Sequence, residues 1–96
     1  MRELVLTPKF QRAFRKFAKR NPELQQRIEA TLLQMQSDVF APELETHKLG
    51  GKLIGTRACS CGYDCRIVFS IEKIENVDLD LETIVLLDVG THDKVY

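Results

Sequence analysis

His92 sits in the chemically richest stretch of the chain, Gly90-Thr91-His92-Asp93-Lys94-Val95-Tyr96, directly after its most apolar run, Ile84-Val85-Leu86-Leu87-Asp88-Val89. An imidazole, a carboxylate, an ammonium and a phenol thus gather where a buried strand meets water. The second histidine, His47, falls in a polar segment just ahead of another strand. Imidazole titrates near neutral pH, so either ring can serve as acid or base. Arg57, Asp64 and Arg66 lie between the two in sequence. Histidine and carboxylate for proton transfer, with arginine for the charge of a developing phosphorane, form the set that RNA cleavage by its own 2′-hydroxyl requires.

The elements that would position these groups are legible from periodicity. Leu4-Val5-Leu6 is β-compatible and stops at Thr7-Pro8, a helix cap followed by proline at the first helical position. Phe10, Phe14 and Phe17 then share one helical face, with Arg12, Arg15, Lys16 and Lys19 around the rest. Such a helix packs its rings inward and offers its basic side to solvent, to nucleic acid or to a partner. Asn21-Pro22 repeats the start signal, and Leu24, Ile28, Leu32 and Met35 carry a second stripe to Ser37-Asp38. So short a break predicts a helical hairpin. Residues 39–52, with Pro42, Gly50 and Gly51, read as a loop.

From Leu53 the period becomes two. Leu53 to Ser60 and Asp64 to Ile71 read as a β-hairpin, Glu72 to Glu82 as an acidic connection, and residues 83–89 as the last and most buried strand. The order is β-α-α-β-β-β: one α+β domain over residues 1–96, with the helical hairpin on one face of a small, mainly antiparallel sheet. On the third strand Cys65, Ile67, Phe69 and Ile71 point to the helices. An even-numbered hairpin loop then puts Arg57 on the uncovered face with Arg66. Two arginines side by side there need an anion, either Asp64 and Asp88 or a phosphate.

Fourteen basic and fourteen acidic residues leave no net charge, but their distribution is two-sided. Residues 1–20 hold seven bases against Glu3, and residues 72–88 hold six acids against Lys73. Ninety-six residues allow one core and bury roughly two-thirds of the unfolded surface. With no membrane-length apolar run and no apolar core of a signal peptide, the chain reads as cytoplasmic. Cys59, Cys61 and Cys65 are an odd, closely spaced set, a poor disulfide framework, and their spacing does not match structural zinc. Small, partly buried side chains are the expectation, with no metal and no cofactor.

Three segments together resemble a known family. They are His47-Lys48-Leu49-Gly50-Gly51-Lys52-Leu53 with Gly55 and Arg57, then Gly62-Tyr63-Asp64-Cys65-Arg66-Ile67-Val68-Phe69, and the ending Leu87 to Tyr96. In order and spacing, behind two helices, they resemble the RelE/ParE superfamily of toxins from bacterial toxin–antitoxin pairs, and the Gly-Thr-His ending is most like the YafQ branch. The resemblance implies a ribosome-dependent endoribonuclease that cuts messenger RNA and is silenced by a cognate antitoxin. It further implies His47, Asp64 and His92 as catalytic positions, Arg57 and Arg66 as groups aimed at the RNA backbone, and Tyr96 as an aromatic that stacks on a base or assists at the phosphate. Ser60 stands near the place of a histidine associated with that branch. Within the same superfamily, ParE-like toxins share the fold without the nuclease residues and act on DNA gyrase, so binding without catalysis is the alternative expectation. The basic side of the first helix, Arg12, Arg15, Lys16 and Lys19, is the expected docking surface for an acidic partner or for ribosomal RNA.

Overall fold

Thr7 joins the first strand to the rest of the molecule. In the computed structural model, which describes residues 2–76 and 79–95, its hydroxyl donates to the carbonyl of Leu86 (2.7 Å) and accepts from the amide of Phe10 (3.2 Å). One side chain therefore caps helix α1 (Pro8–Phe17) and ties the end of strand β1 (Glu3–Leu6) to the last strand. Phe10 is fully buried, Phe14 and Phe17 partly so, and the Phe10 and Phe14 rings meet edge to face at 6.2 Å. Arg15 and Lys16 in the last turn face the negative end of the helix dipole. Lys19 lies in the turn beyond the helix rather than on it. Helix α2 (Pro22–Ser37) starts under an Asn21 side-chain cap and buries Ile28, Leu32 and Met35.

Strands β2 (His47–Lys48), β3 (Arg57–Gly62), β4 (Cys65–Asn76) and β5 (Leu79–Gly90) complete a sheet of order β1-β5-β4-β3-β2. Strand β1 runs parallel to β5 (Leu79–Gly90), from Glu3 opposite Thr83 to Leu6 opposite Leu86, and every other pair is antiparallel. The helices lie on one face, α1 against β5 and α2 against β3 (Arg57–Gly62). Between them sit Phe10, Ile28 and Met35 from the helices with Cys59, Ile67, Phe69, Ile84 and Leu86 from the sheet, all fully buried. Cys59 Sγ is 3.8 Å from Met35 Sδ, and burial pushes its thiol up to about 12 against the opposing influence of the Arg66 charge. It packs as a small apolar side chain. This is the α+β arrangement read from the sequence.

Three local readings need correction. The loop expected over residues 39–52 contains a one-turn 3₁₀ helix (Pro42–Leu44) and a two-residue strand, β2 (His47–Lys48), that pairs with β3. A further 3₁₀ turn at Gly51–Leu53 delays β3 until Arg57, so residues 53–56 are not strand. The acidic segment from Glu72 to Glu82 is not a connection either: β4 (Cys65–Asn76) and β5 pair as far as Asn76 opposite Leu79. Twelve residues at ~3.3 Å each span roughly 40 Å, which accounts for a long axis of 45 Å.

The hairpin parity also differs. Tyr63 and Asp64 form a two-residue loop between paired Gly62 and Cys65, but the register shifts between Ser60 and Gly62. Cys61 is the extra residue of a bulge, and one extra residue exchanges the faces of everything before it. Cys59 consequently lies opposite Ile67 and Arg57 opposite Phe69, on the helix side. Arg57 stacks on the Phe40 ring there at 5.4 Å, and Arg2 covers the same ring at 5.7 Å. Arg57 and Arg66 are therefore not neighbours on the open face. The cysteines correct a second expectation, because the bulge brings Cys61 and Cys65 together as a disulfide across the hairpin base.

Candidate active site

Asp64 organises the site. It occupies the left-handed region (φ 49°), which a short polar side chain tolerates better than most. The preceding Gly62 has a backbone angle (φ 129°) that residues with a side chain rarely adopt. In this turn Asp64 Oδ1 accepts the backbone N–H of His92 at 3.2 Å. A carboxylate from the β-hairpin thus anchors the start of the short helix α3 (His92–Val95), 28 residues away in sequence. The His92 ring is exposed, with Nδ1 3.7 Å from Asp93 Oδ1.

Arg66 follows on the open face. Its Nη1 lies 2.9 Å from the Cys65 carbonyl oxygen, 3.2 Å from that of Gly62 and 3.5 Å from Ser60 Oγ. These contacts fix the guanidinium over the hairpin tip, and Ser60 and Gly62 are further linked by two 3.3 Å hydrogen bonds. Ser60, Arg66 and Gly90 form one row across the open face, and His47, Ala58, Val68 and Asp88 form the next. Two strand spacings and two residues separate the Cα atoms of His47 and Arg66 by roughly 12 Å, a span for a substrate rather than for direct contact. The His47 Nδ1 lies 2.9 Å from the Glu45 carbonyl oxygen. A carbonyl only accepts, so Nδ1 carries hydrogen and, in the neutral ring, Nε2 holds the lone pair.

Of the residues singled out in the sequence, Asp64 and Arg66 line one cleft, Asp64 also accepts from the His92 backbone, and His47 lies on the face of Arg66 one row away. Arg57 is on the other face. Tyr96 lies outside the described residues. Asp88 is on the open face but turns to Lys9 Nζ at 3.7 Å.

Glu45 was missed. With Ser60, Gly62, Tyr63, Asp64 and Arg66 it lines an open cleft of about 400 Å³. The signal available was faint: an acid two residues before a histidine, in a stretch that looked like loop. Glu45 reaches the cleft because it too adopts the left-handed conformation (φ 51°), just past the Pro42–Leu44 turn.

The comparisons with known proteins bear on the fold and the family. The model of a family described as the bacterial toxin of type II toxin–antitoxin systems, YafQ, matches residues 2–96. A YoeB/ParE toxin from Agrobacterium tumefaciens superposes with a TM-score of 0.74 at 13% identity, over 94% of this chain and 98% of that one. A chain of the E. coli DinJ–YafQ complex gives 0.73 at 13%, over 100% and 99%. A copper-bound mutant toxin from Helicobacter pylori gives 0.65 at 24%, over the full length of both. These likenesses show a shared fold. No curated protein matches the sequence. No helix among the described residues is long and apolar enough to cross a membrane. Covering all but the first residue, the family match shows that this chain belongs to the YafQ family of toxins from bacterial type II toxin–antitoxin systems.

Proposed function

We propose that the chain is an endoribonuclease that cuts messenger RNA on the ribosome. The observation that carries this reading is the hydrogen bond from the His92 backbone N–H to Asp64, which lines one cleft with Arg66 on the open face that also bears His47. His47, with Nδ1–H directed at the Glu45 carbonyl, presents Nε2 as the base that takes the proton of the RNA 2′-hydroxyl. The 2′-oxygen attacks the adjacent phosphorus, Arg66 steadies the charge on the non-bridging oxygens, and His92 gives a proton to the departing 5′-oxygen. The products are a 2′,3′-cyclic phosphate and a free 5′-hydroxyl, and side chains of this chain carry every proton. Asp64 acts by positioning. Neither Arg57, stacked on Phe40, nor Asp88, turned to Lys9, is assigned a part.

The test is end-mapping of messages in a translation reaction supplied with purified protein. Cuts within translated regions, with 5′-hydroxyl ends, are expected. Intact messages together with inhibited DNA supercoiling would instead favour a ParE-like binding toxin, a reading supported by Ser60 standing near the position of a second-strand histidine in the YafQ branch.

An antitoxin is the proposed protein partner, on the strength of the fold shared with the DinJ–YafQ complex. Arg12, Arg15, Lys16 and Lys19 are all exposed and suit an acidic segment. Reversing Arg12 and Lys16 to glutamate is expected to weaken antitoxin binding about tenfold, mainly through slower association, in a titration at low salt. Equal affinity would remove this surface from the interface.

A further inference from the structure

Tyr63 is 96% exposed, at the tip of a hairpin whose conformation is otherwise tightly fixed. The disulfide closes the base of the turn, Gly62 takes an angle few residues adopt, and Asp64 is bonded to His92. So large an apolar ring, held rigidly in water, is preorganised for contact. With Asp64 it forms the ridge between two clefts. On one side is the cleft of Glu45, Ser60 and Arg66, and on the other a depression of about 320 Å³ that includes Asn21, Arg27 and Thr91.

The order across the ridge is guanidinium, aromatic ring, guanidinium: Arg66, Tyr63, Arg27. Single-stranded nucleic acid presents phosphate, base, phosphate in the same order, and its bases stack on aromatic rings whatever their sequence. An acidic peptide would bring its carboxylates toward Glu45 and Asp64 on the same ridge and cleft, whereas the amino groups of a base find acceptors in them. We infer that Tyr63 is the platform on which one base of a single-stranded RNA stacks as the strand crosses from one cleft to the other. This assignment rests on the endoribonuclease reading and adds to it the residue that sets the register of the strand.

The sequence contains no tryptophan, so Tyr63→Trp creates a unique fluorophore at the ridge, and Ile54→Trp, at an 81% exposed position before β3, is its control. The probe is a short 2′-O-methyl oligoribonucleotide, which binds but cannot be cleaved. It is expected to quench the Tyr63→Trp variant and not the Ile54→Trp variant. Tyr63→Ala is expected to weaken binding about tenfold, while Tyr63→Phe keeps it. If the unsubstituted chain binds the probe but Tyr63→Ala binds equally well and the Tyr63→Trp signal is unchanged, the platform is overturned and the nuclease reading stands. If the unsubstituted chain does not bind the probe, the platform falls, and the nuclease reading is decided by end-mapping in the translation reaction.

Discussion

His92→Ala is expected to slow message cleavage by on the order of 10²–10⁴-fold, the usual worth of a positioned general acid, and to abolish growth arrest on expression. The structure makes this a clean experiment. What anchors the position is the backbone N–H of His92 on Asp64 Oδ1, and the substitution leaves that bond in place. The ring itself is well exposed, with a side-chain accessibility of 60%. Removing it should cost no more than ~0.5 kcal/mol of stability. Single-turnover rates and thermal melts on the same preparation therefore separate chemistry from folding. Full toxicity in the alanine variant, at unchanged melting temperature, would end the assignment of His92 as the acid.

Phe69→Ala carries the largest expected effect on stability. Phe69 is fully buried, lies opposite both Arg57 and Leu86, and belongs to the layer in which the helices meet the sheet. Truncating a buried phenylalanine costs about 3–5 kcal/mol through lost transfer energy and the cavity left behind. A domain of this size has about 5–15 kcal/mol in total. At a urea dependence near ~1.5 kcal/mol/M the unfolding midpoint should fall by roughly 2–3 M. A loss below ~1 kcal/mol would mean that the helices do not close over this ring as described.

Much of the architecture was legible because local signals agreed with tertiary demands. Thr7-Pro8 and Asn21-Pro22 set both helix starts, and the phenylalanine spacing gave the buried face of α1. Contacts distant in sequence were harder to read. Strand β2 is two residues long, and only its pairing with β3 makes it a strand. The β4–β5 ribbon was hidden by composition, since acids alternating with Leu79 and Leu81 looked like a polar connection although the alternation itself was the strand signal. Histidine and arginine types were visible, but the face each occupies was not. The bulge sent Arg57 to the helix side, and no local rule marks Cys61 as the extra residue. Glu45 entered the cleft through a left-handed backbone angle that nothing in its neighbourhood requires.

The bulge has a consequence for how this sequence tolerates insertion and deletion. Most hairpin tips absorb a lost residue by shortening the loop. Here the loss of Cys61 would remove the bulge and the disulfide but leave Ser60 opposite Arg66 and Arg57 opposite Phe69. Drawing Cys61 into the ladder, with the same residues, is what would turn β3 over, carrying Arg57 to the open face and Cys59 out of the core. The bulge thus confines a gain or loss of one residue at this point to the hairpin tip, and the guanidinium of Arg57 keeps its side of the sheet.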